Sequence, residues 1–123
     1  MKIKTLIAVA AISVSGALAT SAAAASLTPT QVTIKGQNGD YFGYVKSSDS
    51  NHCENNRKVS VYKLLGDTPK PGDDMKIGTD IAQPNGPDAM WSIGNSGYKH
   101  GKFYAHVRKT QYCQADNSPV ISR

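Results

Sequence analysis

Apolar and polar side chains alternate along this chain, and outside its N-terminus no stretch longer than about ten residues keeps a helical spacing. In RKVSVYKL, Val59 and Val61 face one way while Lys58, Ser60 and Tyr62 face the other. KFYAHVRK sets Phe103, Ala105 and Val107 against Lys102, Tyr104, His106 and Arg108. QVTIKG, YFGYVKS, MKIGTDIA, AMWSI and SPVIS are shorter runs of the same kind. In MKIGTDIA the alternating set is Met75, Ile77, Thr79 and Ile81; in AMWSI, Trp91 and Ile93 share a face. Gly, Pro, Asn and Asp separate the runs. Asn38-Gly39 is a tight-turn signal, QPNGPD reads as another turn, and Gly43 marks a bulge or a close approach. Pro119 suits an edge or first strand position. About seven short strands with this punctuation predict an all-β, antiparallel two-sheet sandwich with Trp91 and Phe103 in its core.

Residues 1–25 do not fit that pattern. Met1-Lys2-Ile3-Lys4 is a short positive segment, Leu6 to Val14 is apolar, and Ala23-Ala24-Ala25 fits a small-residue cleavage site. The expectation is a secretory signal peptide removed near Ala25, leaving residues 26–123 as one domain, extracellular or periplasmic. No Cys lies near that point to carry a lipid. Loss of Lys2 and Lys4 takes Lys and Arg from 14 to 12 against 9 acidic groups, so the net charge falls from +5 to +3. That excess is too mild for a nucleic-acid binder. No later stretch is apolar enough to span a bilayer. The expected product is a secreted monomer without a membrane span.

Cys53 and Cys113 are the only cysteines. In an exported chain an even count points to a disulfide. It closes a loop of about 60 residues, worth roughly 4 kcal/mol of chain entropy. His52, Arg57 and Lys58 flank Cys53 and could activate a thiol. Adjacent residues on an extended chain point apart, however, which places His52 badly for that task. Zinc sites show paired ligands two to five residues apart, a spacing Cys53 and Cys113 lack. Asp67, Asp73 and Asp74 do not follow the EF-hand spacing and read as a solvated turn. Neither a cofactor nor a metal is expected.

A Cys shortly before RKVSVYK, a Gly- and Asp-containing loop, a Trp-Ser strand, GKFYAHVRK and a second Cys together resemble small secreted bacterial domains. These are the transthyretin-like (prealbumin-like) Ig-type sandwiches, with the carboxypeptidase-regulatory-like and Cna-B-like domains beside them. The resemblance runs from about Val32 to Ile121. It implies a stalk, accessory module or binding platform. Transthyretin-like hydrolases have a His-rich cleft and a terminal signature that this sequence lacks, so the chain is read as no enzyme.

The candidate binding face combines outward aromatic and basic residues: Lys58, Tyr62 and Lys63 on one strand; Tyr104, His106 and Arg108 on another; and Tyr98 in the preceding loop. Tyrosine offers rigid apolar area with a polar tip, and the basic set suits an acidic polysaccharide or anionic cell surface. The expected role is a binding or interaction module for an envelope glycan or extracellular protein. The alternatives are a structural or inhibitory protein acting through loops such as GDTPKPGDD, or a small hydrolase built on His100 or His106.

Overall fold

Gly43 explains why the first predicted strand is broken in two. The computed structural model describes residues 26–123; the leader read in residues 1–25 lies outside them. β1 (Gln31–Val32) and β2 (Lys35–Gln37) both pair with β3 (Asp40–Lys46) along the same edge. Between them the backbone of Thr33 crosses over Gly43, and a Cβ there would sit 2.1 Å from the Thr33 carbonyl oxygen. Only glycine admits that approach. The Thr33 carbonyl then accepts from Trp91 Nε1 at 3.2 Å. The β2–β3 turn is Asn38-Gly39, with φ of +55° and +89°, the left-handed pair a two-residue hairpin of this hand requires.

A helical turn, α1 (Ser50–Cys53), follows, with the Asp49 carboxylate accepting from the backbone of His52. Next come β4 (Lys58–Lys63), β5 (Met75–Ile81), β6 (Gln83–Asn85), β7 (Asp88–Asn95), β8 (Lys102–Val107), β9 (Asp116–Asn117) and β10 (Ile121–Ser122). One sheet runs β1–β3–β7–β6, with β2 beside β3; the other runs β10–β8–β4–β5, with β9 beside β8. All of these strand pairs are antiparallel. The fold is the expected all-β two-sheet sandwich. Its additional strands come from the break over Gly43, from β6 within QPNGPD, and from β9. Pro84 is tolerated because β6 is an edge strand with a single neighbour.

The core lies between the sheets. Val32, Tyr41, Val45, Ala89 and Trp91 from the first meet Val59, Val61, Phe103, Ala105 and Val107 from the second. Tyr41 packs on Phe103 with the rings tilted and their centroids 4.7 Å apart, and its hydroxyl donates to the Tyr98 carbonyl at 2.8 Å. Burial pushes that phenol's pKa up, against a smaller opposing effect of Arg123. Carboxylates stitch the seams: Asp116 accepts from the Val32 N–H and Asp80 from the Ser92 N–H, each at 2.8 Å.

The expected alternation in β5 fails midway. Val61 pairs with Gly78 but Tyr62 pairs with Lys76, which leaves Ile77 in a bulge. The bulge shifts the phase by one residue. Ile77 packs on the core while Ile81 is exposed, and Ile93 fills the space over Gly78.

Cys53 and Cys113 form the expected disulfide, with Cα atoms 5.6 Å apart across a separation of 60 residues. Both are fully buried. Such bonds persist in oxidising compartments. Cys53→Ser and Cys113→Ser are each expected to lower stability by about 4 kcal/mol, with a fall in melting temperature on the order of 15–30 °C. Thermal unfolding under non-reducing conditions tests this, and equal midpoints would refute it.

Candidate functional site

The site begins at Asn56, whose φ of +63° turns the chain out of the cysteine loop and into β4. Its N–H donates to the Ala82 carbonyl, and the Ala82 N–H donates back to Arg57. That clamp directs the Arg57 side chain inward, where the residue is only 4% exposed. One terminal nitrogen donates to Thr30 Oγ1 at 3.1 Å and to the Cys53 carbonyl at 3.0 Å. The other donates to the carbonyls of Arg108 at 2.8 Å and Gln114 at 3.3 Å. Among the described residues no carboxylate pairs with it. Burial pushes its pKa down, but a guanidinium stays protonated in proteins.

Arg57 is also one of the residues lining a cleft of about 340 Å³ on the outer face of the second sheet. Lys58, Lys76, Arg108 and Lys109 supply further positive charge, and Asn56, Ser60, Tyr62 and Thr110 complete the lining. Among the described residues no Asp or Glu lines it. The disulfide braces one wall, because the Thr110 N–H donates to the Cys113 carbonyl and Thr110 Oγ1 accepts from the Cys113 N–H.

Tyr62 forms the inner end. Its ring stacks on Tyr104 at 5.5 Å, and Lys76 Nζ stands 5.9 Å from its centroid. Tyr104 is fully buried and donates its hydroxyl to Asp74 Oδ2 at 2.6 Å. The same carboxylate accepts from the N–H groups of Leu65 and Lys70, so it closes the connection between β4 and β5. Burial first, and then the Asp74 carboxylate, push the Tyr104 pKa well above the usual tyrosine range. For Asp74, burial acts to raise the pKa, but the bonds from Tyr104, Lys70 and Leu65 outweigh it and leave the group below its ordinary value.

The structure gathers some of the sequence-predicted face and scatters the rest. Lys58, Tyr62 and Arg108 share the cleft. His106 adjoins it, with its ring 6.3 Å from Tyr62 and Nδ1 2.6 Å from Asn117 Oδ1. Tyr62 and Tyr104 keep the outward phase but are not surface aromatics. The β4–β5 connection, drawn in by Asp74, buries Tyr104, while Lys76 and His106 crowd Tyr62 to 7% exposure. Lys63 is out of phase with Lys58, pairs with Phe103, and lies against Gly101. Tyr98 is exposed in the loop entering β8, at the far end of the β4–β8 pair. His52 sits apart: Nδ1 is 2.8 Å from Asp49 Oδ2 and its ring is 4.2 Å from Tyr112. The bond to His52 holds the Asp49 carboxyl below its ordinary pKa.

Sequence reasoning missed Asn56, Arg57, Ser60, Lys76 and Thr110 as lining residues. Lys76 reaches the cleft only through the bulge that puts it opposite Tyr62. Arg57 carried one usable signal, its place just beyond the cysteine loop.

No protein-family model matches the chain, and no curated protein matches it either. Among the described residues, no helix is long and apolar enough to cross a membrane.

Because the folded Asp74 pKa is lowered, its stabilisation is full above the unfolded value of about 3.9 and is lost as pH falls through the folded value. Asp74→Asn is expected to cost about 1 kcal/mol near neutrality, a modest loss because the carboxylate is partly exposed. That cost is expected to shrink toward zero between about pH 5 and pH 2. Urea unfolding across that range checks it; a pH-independent difference contradicts the assignment.

Proposed function

We propose that this chain is a secreted, monomeric, non-enzymatic binding module that holds an anionic group of an extracellular polymer or surface. The single observation behind this reading is the cleft, where Arg57, Lys58, Lys76, Arg108 and Lys109 converge with no carboxylate among the lining residues. Five cations spread at random over a surface of mixed charge would meet acidic neighbours. Here the five residues line one space, with Arg57 buried beneath it. The resemblance to transthyretin-like and related Ig-type secreted domains, whose members serve as binding platforms, supports the reading, as do the signal-like leader and the disulfide.

A non-enzymatic role suits the side chains around the cleft. The lining offers charge and hydroxyl groups, while His106 is engaged by Asn117 and His52 by Asp49. Asp116, close to His106, already accepts from the Val32 N–H.

The mature protein is expected to be retained on immobilised sulfated or uronate polysaccharide at about 0.01 M salt, where the Debye length is roughly 30 Å. It should be released as salt approaches about 0.15 M and above. The double variant Lys58→Glu, Arg108→Glu should lose at least about tenfold in affinity, equivalent to 1.4 kcal/mol. Unchanged retention of that variant, with its melting temperature intact, rejects the reading.

A second reading has one observation in its favour. Leu65 is 63% exposed at the head of a loop braced by Asp74, the form of a protruding inhibitory segment. Protease inhibition lost on Leu65→Gly, with polyanion binding intact, would select it.

A further inference from the structure

The cleft offers hydrogen-bond donors in excess of acceptors. The four terminal N–H groups of Arg57 are already taken by protein acceptors, but Arg108, Lys58, Lys76 and Lys109 can only donate. A ligand that satisfies them must present acceptor oxygens and negative charge. Its volume, about 340 Å³, lies at the low end of ligand pockets, roughly 300–1,000 Å³. It has room for one charged group on a small body and not for several units of a polymer.

The charge of Arg57 narrows the choice. Its acceptors are a hydroxyl and three carbonyls, all neutral, and among the described residues no carboxylate pairs with its positive charge. Being buried, it is poorly screened by water, and its field reaches into the cleft. A dianion profits from that field more than a monoanion. A phosphate monoester carries about −1.5 to −2 charge at pH 7 and three strong acceptor oxygens. A carboxylate or a sulfate monoester carries a single charge. At the rim, Asn56 and Thr110 can both donate and accept, which suits the hydroxyl groups of a sugar.

We propose that the cleft is a receptor for a phosphate monoester borne on a small polar body such as a sugar. Arg57 sets the field at its floor, and Arg108 and Lys109 flank the phosphate. This rests on the anion-binding reading above and names the class of ligand.

Isothermal titration of the mature, oxidised protein at pH 7.5 and low salt tests it with glucose 6-phosphate, glucose 6-sulfate, glucuronate and glucose. Glucose 6-phosphate is expected to bind one per chain, at least tenfold tighter than the sulfate or the glucuronate, and glucose not at all. Arg108→Gln and Lys109→Gln should each weaken it severalfold without changing the melting temperature. Lys35→Gln and Lys46→Gln, which remove the same charge from the other sheet, should leave it within twofold. Equal binding of all three anions overturns the phosphate assignment and leaves the polyanion reading standing. Binding of none, with polysaccharide retention intact, overturns it as well; loss of both overturns both readings. Capture by phosphatidate vesicles without binding of glucose 6-phosphate overturns the assignment to a small soluble body.

Discussion

The Arg57 guanidinium is the contact on which this half of the sandwich depends. It reaches three stretches of chain outside the ten strands: Thr30 ahead of β1, Cys53 at the end of α1, and the connection after β8 through Arg108 and Gln114, the first and last of which also meet in a single parallel bridge between Thr28 and Cys113. A buried charge is expensive to desolvate, and only good hydrogen bonding offsets the cost. The four acceptors provide that. The disulfide joins two of the same three segments but acts on a different state. It limits the unfolded chain, whereas Arg57 selects one arrangement of the folded one.

The open seams of the sandwich are closed by bonds of the same side chain to backbone kind. Asp116 and Asp80 each take a backbone N–H from the opposite sheet, and Arg123 Nε donates across to the Gly36 carbonyl. These bonds use backbone groups that strand pairing leaves over at a sheet edge. They also discourage further strands from adding there, as does the bulge at Ile77 in edge strand β5. Side chain to backbone bonding therefore stands in for the extra strands that would close a barrel.

What could be read from the sequence follows from the range of each interaction. Alternation in β4 and β8, the Asn38-Gly39 turn, the close approach at Gly43 and the cysteine pairing are local or compositional, and the structure shows all four. The phase of β5 was not legible, because a bulge depends on the partner strand and not on MKIGTDIA itself. Two-residue strands such as β9 exist only because β8 lies beside them. Tyr104 has the outward period of its strand and yet is buried, because Asp74, thirty residues earlier, folds the connection over it. The inward turn of Arg57 is of the same kind. Its side chain looks like the first residue of a wet strand until the carbonyls of Arg108 and Gln114 arrive.

Arg108 holds two roles on separate atoms. Its carbonyl anchors Arg57, and its exposed side chain lines the cleft. A backbone acceptor is the same whatever side chain is attached to it. Exchange at position 108 can therefore retune what the cleft selects while the guanidinium keeps its grip. The exposed side chain of Gln114 has the same freedom, since its carbonyl is the atom that Arg57 uses. The fold thus separates what must be inherited unchanged from what is free to diversify, and related chains could share this architecture while differing in the ligand they hold.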